Sequence, residues 1–542
     1  MSRIDEFVDK VDDDGSRRAG VASRRLAGDR RQRTSDLRRR CPRFARRAGL
    51  PGLRRPATRF ARACRPAPGL PGAPARAIIS GMSQEAYRVE TDTMGEVRIP
   101  DWAYWGAQTQ RAVNNFTISD KRIPEAMIRA LGQIKRAAAV ANKVLGELDE
   151  KLADAIIQAA GEVISGAWDD HFPIDVFQTG SGTSWNMNIN EVLSNRANEI
   201  LGGKIGSKKP VHPNDHVNRG QSSNDVIPTA VHVADRMVVE ELLTSLAQLA
   251  ESFRKKAREF DDVVKLGRTH LKDAVPMTLG QEFDTFAYQL EKARERISRT
   301  TPNLDELPLG GTAIGTGLNA HPEYRETAVA ELAQATGLPF KPSPHPFEGI
   351  AARDAQVELC GALNGLATAI MKIANDLRLL DSGPRSGLGE IALPSLQPGS
   401  SIMPGKINPV IPEMMIQVAA HVHGQCLAVT MGGQNAPLQL NMMNPLIAYE
   451  TVDAMRTLAS TCRAAAEKCV DGITADSERC AYWIEWSTAM VTPLAKTIGY
   501  DKASELAYKA FKERRTIRDV CTEAGVVTPE QLDELLDPKR MT

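Results

Sequence analysis

Leu359-Cys360-Gly361-Ala362-Leu363-Asn364-Gly365-Leu366-Ala367-Thr368-Ala369-Ile370-Met371-Lys372-Ile373-Ala374-Asn375-Asp376-Leu377-Arg378-Leu379-Leu380 is the stretch whose reading decides the architecture. Leu359, Leu363, Leu366, Ile370, Ile373, Leu377 and Leu380 follow one another at steps of four and three, a heptad seam that only a helix keeps on one face. A helix over 351–380 would be about 45 Å long at ~1.5 Å per residue. Ala362, Ala369 and Ala374 leave small surfaces beside the seam, and Cys360, Ala367 and Met371 add bulk off it. A helix apolar on more than one face is buried on more than one face. The expectation is a bundle of long helices shared between subunits, rather than one core helix of a monomer.

Helical spacing continues on both sides. Leu242, Leu246, Leu249 and Phe253 recur on one face, and a further helix begins after Pro409 with Glu413, Met415, Val418 and Val422. The region 500–542 is short, charged and helical in tone, and reads as a small appended domain. Gly310 to Gly317 has no buried strand before it, so it reads as a loop and not as a nucleotide-binding turn. Asp381 to Gly405 holds five glycines and four prolines, the composition of a mobile lid.

The 542 residues carry a formal charge of +1 that hides an asymmetry. Residues 1–81 contain 20 Arg and 1 Lys against 8 acidic residues, a charge of +13, which leaves −12 on the remainder. The first segment reads as a disordered Arg-rich extension. Its early Asp5, Glu6, Asp9 and Asp12 to Asp14 are wrong for an acid-poor transit peptide. An RNA-binding role for it is the weaker alternative. The mildly acidic body does not read as a nucleic-acid binder, and no apolar run is read as long enough to span a membrane. Eight cysteines form no CxxC pair, so neither a zinc nor an iron–sulfur site is expected. Scattered thiols fit a reduced, cytoplasmic protein.

The chemistry concentrates in polar segments. The densest is Gly399-Ser400-Ser401-Ile402-Met403-Pro404-Gly405-Lys406-Ile407-Asn408-Pro409, which packs two hydroxyls, an ammonium and a carboxamide into one Gly/Pro-punctuated loop. The others are Gly180-Ser181-Gly182-Thr183, His212-Pro213-Asn214-Asp215, Ser222-Ser223-Asn224-Asp225 and Gly267-Arg268-Thr269-His270. Singly, each could be a helix cap or a turn. Together they form a set of hydroxyls, amides and helix N-termini suited to holding carboxylates.

With Trp105 to Gln110, Gly310 to Asn319 and His321 to Tyr324, these motifs resemble the fumarase/aspartase superfamily over essentially all of 82–542. Ser181, His212 and His270 stand where the fumarase branch, the metal-free class II type, has them. The resemblance implies an all-α, fumarase/aspartase-like fold: a central bundle of long helices, smaller N- and C-terminal domains, and a homotetramer whose active sites draw on three subunits. The expected divisions are 1–81, 82–220, 221–477 and 478–542. It implies hydration of fumarate to (S)-malate in the citric acid cycle, without metal or other cofactor and without nucleic-acid or membrane partners. Aspartate ammonia-lyase or a related fumarate-forming lyase is the alternative, and a non-catalytic relative that keeps the fold is a third reading.

By the same resemblance Ser400 is the base that takes the carbon-3 proton. His270 handles the proton of the departing hydroxyl, and Glu413 pairs with that histidine. Ser181, Gly182, Thr183, Ser222, Ser223, Asn224, Thr269, Ser401, Lys406, Ile407 and Asn408 bind substrate. His212, Pro213, Asn214 and Asp215 form a secondary anion site. From the residues alone His270 would be the favoured base, since an unperturbed serine titrates far above neutrality.

Overall fold

A computed structural model describes residues 86–542. The Arg-rich segment 1–81, read from sequence as a disordered extension, lies outside the described residues.

In chain order, a hairpin of β1 (Tyr87–Asp92) and β2 (Gly95–Pro100) precedes α1 (Ala107–Asn115), α2 (Glu125–Val144), α3 (Glu150–Ser165), α4 (Thr183–Ile200) and α5 (Ser223–Glu259). A second hairpin, β3 (Val264–Thr269) and β4 (Lys272–Thr278), leads into α6 (Leu279–Leu304). The short β5 (Glu306–Leu307), α7 (Tyr324–Thr336), β6 (Lys341–Pro342) and α8 (Pro346–Ala351) lead to α9 (Asp354–Leu380). After β7 (Ile391–Ala392) come α10 (Val410–Gly433), α11 (Asn444–Lys468) and β8 (Thr474–Ala475). The chain ends with α12 (Ser477–Trp486), α13 (Ala495–Ile498), α14 (Tyr500–Glu513), α15 (Ile517–Ala524) and α16 (Pro529–Leu535). The described strands pair only two by two, so the fold is helical with small two-stranded ribbons added.

Five long helices close a ring: α5 packs on α6 and α11, α9 on α6 and α10, and α10 on α11. All seven seam residues of α9 are buried, together with Cys360, Ala367 and Ala374 off the seam. That is the expected burial on more than one face. α9 is also long and apolar enough to cross a bilayer by length and composition, which corrects the sequence expectation that no stretch is. The seam that makes it so faces α6 and α10.

Polar side chains cross the ring where the helices meet. Thr451 Oγ1 of α11 donates to Asp235 Oδ1 of α5 at 2.7 Å, and Gln356 Nε2 of α9 reaches Asp235 Oδ2 at 3.4 Å. Burial pushes the Asp235 carboxyl up to about 7 against these two donors. A second apolar cluster joins Ile484, Leu494, Leu506, Val520 and Leu532 of the C-terminal helices and takes in Leu266 of β3. The C-terminal elements therefore brace the hairpin that ends in Thr269 and His270.

Candidate active site

Two hydroxyl-bearing helix starts are brought side by side. At the first, Gly182 holds φ 76° before α4, a left-handed conformation that glycine adopts without cost. A Cβ there would lie 2.7 Å from Ile227 Cγ2 of α5, so the close approach also requires glycine. Ser181 Oγ and Thr183 Oγ1 are 2.8 Å apart at this turn. At the second, Ser222 caps α5 in a reciprocal capping box with Asp225. Asn186 Nδ2 of α4 donates to Ser223 Oγ at 3.0 Å and ties the first turns of the two helices together. The positive ends of both helix dipoles thus face a common region lined with hydroxyls, a natural place for an anion.

Behind this pair lies a buried support that sequence reading missed. Lys135 of α2, fully buried, donates to Asn218 Oδ1 at 3.0 Å and Gln221 Oε1 at 2.9 Å. Burial drives its ammonium down to about 7 despite the nearby Asp225 charge. Asp225 is buried as well. Burial pushes its carboxyl up to about 6 against the N–H groups of Ser222, Thr312 and Gly310 and the charge of Lys135. Asn224 Nδ2 donates to Ala313 O at 2.8 Å. The Gly310 to Gly317 segment is a loop, as expected, and it wraps the start of α5. The sequence signal for Lys135 was slight, a Lys-Arg pair in an alanine-rich helix of which only Lys135 turns inward.

The Gly399–Pro409 signature closes on itself. Gly399 N–H donates to Lys406 O at 2.8 Å, and Asn408 Nδ2 donates to Gly399 O at 2.6 Å. A Cβ on Gly399 would sit 2.6 Å from Asn408 N. Inside this loop Ser400 Oγ accepts from Met403 N at 2.9 Å and Ile402 N at 3.2 Å. Two donors aimed at the oxygen favour it with negative charge. Ser401, Lys406 and Ile407 are exposed, and Lys406 has no acidic partner among the described residues. Asn408, read as a substrate ligand, spends one amide hydrogen on the loop itself. Glu413 is half-buried in the first turn of α10.

Thr269 and His270 lie at the tip of the β3–β4 hairpin. Thr269 pairs with Lys272, so His270 and Leu271 are the two turn residues, with φ of 55° and 58°. A two-residue type I′ turn needs positive φ at both positions and normally uses Asn or Gly. For ordinary side chains the conformation costs about 1–2 kcal/mol per residue, so this tip holds an exposed imidazole in a strained turn.

Among the described residues no hydrogen bond or ion pair joins the Ser181–Asn224 group, the Ser400 loop and the His270 tip within one chain. The Glu413–His270 pairing is likewise not formed within one chain. At His212-Pro213-Asn214-Asp215, His212 Nδ1 accepts from Asn214 N at 3.3 Å and Asp215 N at 3.2 Å. The imidazole there caps the turn with the same N–H groups an anion would use. No three His, Cys, Asp or Glu side chains gather in metal-holding geometry among the described residues.

A ring of long helices whose ends present hydroxyl-rich turns and a serine loop is the arrangement of a lyase. The Lyase family pattern matches residues 95–424, and the chain belongs to that family. A second pattern, Fumarase C C-terminus, matches 490–542. Within the family the chain groups with the class II fumarate hydratases. It is 50% identical to mitochondrial fumarate hydratase of Rattus norvegicus over 86% of this chain and 92% of that protein. It is also 50% identical to fumarate hydratase class II of Methylorubrum extorquens over 84% and 96% of the two chains. The crystal structure of recombinant class II fumarase from Schistosoma mansoni superposes with a TM-score of 0.82 at 39% identity, covering 84% of this chain and 99% of that one. Fumarate lyase:delta crystallin from Brucella melitensis bound to cobalt gives a TM-score of 0.82 at 47% identity, with the same coverage.

Proposed function

We propose that this chain is a hydro-lyase that interconverts fumarate and (S)-malate in the citric acid cycle, without a metal. The observation that carries this reading is the junction of the α4 and α5 N-termini through Asn186 and Ser223, which sets hydroxyls and helix dipoles to hold a small dicarboxylate. In the malate-to-fumarate direction, Ser400 takes the carbon-3 proton, and the electron pair is held as an aci-carboxylate. Lys406, Asn408 and backbone N–H groups stabilise that charge, since fixed dipoles aimed at developing charge lower a barrier most. The pair then forms the carbon–carbon double bond as the C2–O bond breaks, and the hydroxyl leaves as water with a proton supplied through His270. Glu413 pairs with that histidine across the subunit junction.

Because the three groups are separate in one chain, we place the complete site at the junction of three subunits of a homotetramer. The exposed side of α10 supports this, carrying Ala420, Gly424, Leu427 and Met431 on one stripe. Buried free thiols at Cys360, Cys426, Cys462, Cys469, Cys480 and Cys521 support a reducing compartment, cytoplasmic in our reading. The test is absorbance of fumarate on addition of enzyme, with and without prolonged chelation in air. Loss of fumarate at the same rate in both samples is expected. A rate lost to chelation and restored by iron would overturn the metal-free part. Ammonia release from L-aspartate with no malate formed would overturn the hydratase in favour of the ammonia-lyase.

A further inference from the structure

A buried ionic cluster joins strand β3, which runs up to the His270 tip, to Glu390, upstream of the Ser400 loop. Glu390 is fully buried, ten residues before Ser400. Its carboxylate lies 2.8 Å from Arg268 Nη1 and 3.2 Å from Lys265 Nζ. These contacts are ionic, with neither carboxylate oxygen in an aligned hydrogen bond. Arg268 sits two residues before His270 on β3, and Lys265 lies on the same strand. Lys265 is itself buried and is held to Glu282 of α6 at 2.7 Å. The backbone of Glu390 is fixed too: its N–H donates to Leu380 O at 2.9 Å, and its carbonyl accepts from Asp476 N at 2.9 Å. Arg268, in the middle of a motif otherwise read as substrate-facing, thus reaches back to the root of the other loop.

Removing three charges from water costs several kcal/mol per ion before any attraction is recovered. An apolar cluster of similar volume would hold the same backbone as well or better, so stability alone does not account for these ions. Their distinct contribution is direction: a carboxylate between two cations fixes where the strand and the loop root lie relative to each other. We propose that Glu390 is a positioning residue that ties the His270 hairpin to the Ser400 loop, so that movement of either loop is felt by the other. This rests on the proposed hydratase reading. If the sites are shared between subunits as proposed there, the two tied loops serve different active sites, and the tie couples neighbouring sites.

The test uses the full chain with Glu390→Gln, which keeps shape and removes the charge. Amide exchange is expected to accelerate at least about tenfold in both 264–278 and 391–408 together. The kcat for fumarate is expected to fall about tenfold or more, by a larger factor than KM rises, because proton transfer by Ser400 and His270 tolerates less displacement than the carboxylate contacts made from these loops and from the α4 and α5 starts. Glu282→Gln, which removes a neighbouring charge without cutting the tie, should leave the 391–408 exchange at the wild-type rate. Arg268→Met leaves Glu390 beside Lys265 and covers the case in which the first variant fails to assemble. It should show the same paired acceleration. Acceleration confined to one segment, or wild-type exchange and kcat in Glu390→Gln, would overturn the proposal. The exchange measurement needs no turnover, so a chain that does not hydrate fumarate would sink the hydratase reading while the tie is still judged.

Discussion

At Ser400 the backbone prepares the side chain. The N–H groups of Ile402 and Met403 both point at its oxygen, and they are held there because the loop closes through Gly399, Lys406 and Asn408. Gly399→Ala forces a carbon against Asn408 N at 2.6 Å, so the closure must open. The expected result is a fall in kcat of about a hundredfold, the scale of losing one oriented donor set, with little change in Tm because the loop is largely exposed. An alanine variant with wild-type kcat would show that the closure is irrelevant to the chemistry. His270 is exposed at a strained turn, and a donor able to work through water suits loss of hydroxide better than loss of an amine. His270→Gln should lower kcat for malate by about a hundredfold and leave KM within about threefold. The unmodified enzyme should release no ammonia from L-aspartate. A variant whose loss lies in KM alone would place His270 among the binding groups.

At the level of elements, the helical ring carries a buried proton. Asp235 of α5 is met by Thr451 of α11 and Gln356 of α9, and burial raises its carboxyl from 3.8 to about 7. Across that window the folded chain binds this proton and the unfolded chain does not. Its contribution to stability therefore falls as pH rises from about 4 through about 7. Asp235→Asn removes this dependence and offers a donor to Gln356 Oε1, which is buried without a partner. The variant's Tm should rise relative to wild type between pH 5 and pH 8, by an amount corresponding to roughly 2 to 3 kcal/mol per chain. An equal gap at both pH values would show that the carboxyl is charged throughout. The α9 seam explains why the ring forms at all: a heptad pattern needs facing helices along its whole length, and α6 and α10 provide them.

For the whole molecule, the decisive fact is separation. The hydroxyl cluster at α4 and α5, the Ser400 loop and the His270 tip make no mutual hydrogen bonds or ion pairs within one chain, yet the proposed chemistry needs all three around one dicarboxylate. Ser400→Ala and His270→Asn, each inactive alone, should recover activity when unfolded together and reassembled, because in the homotetramer proposed above some sites of mixed assemblies would draw both intact residues from different subunits. With random mixing, recovery of about a quarter of the wild-type rate or less is expected if each site is independent. Mixed tetramers confirmed by mass but without activity would place both residues of each site on the same chain.

Periodicity and functional-group chemistry determined much of this protein from sequence alone. The α9 seam predicted its helix to within three residues at the start, because a seven-residue spacing has no other regular solution. The Gly310 to Gly317 loop, the helix after Pro409 and the hydroxyl-rich turns were equally legible, since glycine, proline and capping residues act locally. What stayed hidden depends on distance in the chain. Lys135 of α2 supports Asn218 and Gln221 from more than eighty residues away, and Glu390 meets Arg268 across more than a hundred residues. Nor could spacing show that α9, apolar enough to cross a bilayer, packs its seam against α6 and α10. Local conformational preference is written residue by residue, but the partner of a buried charge or an apolar face is chosen only when the helices pack.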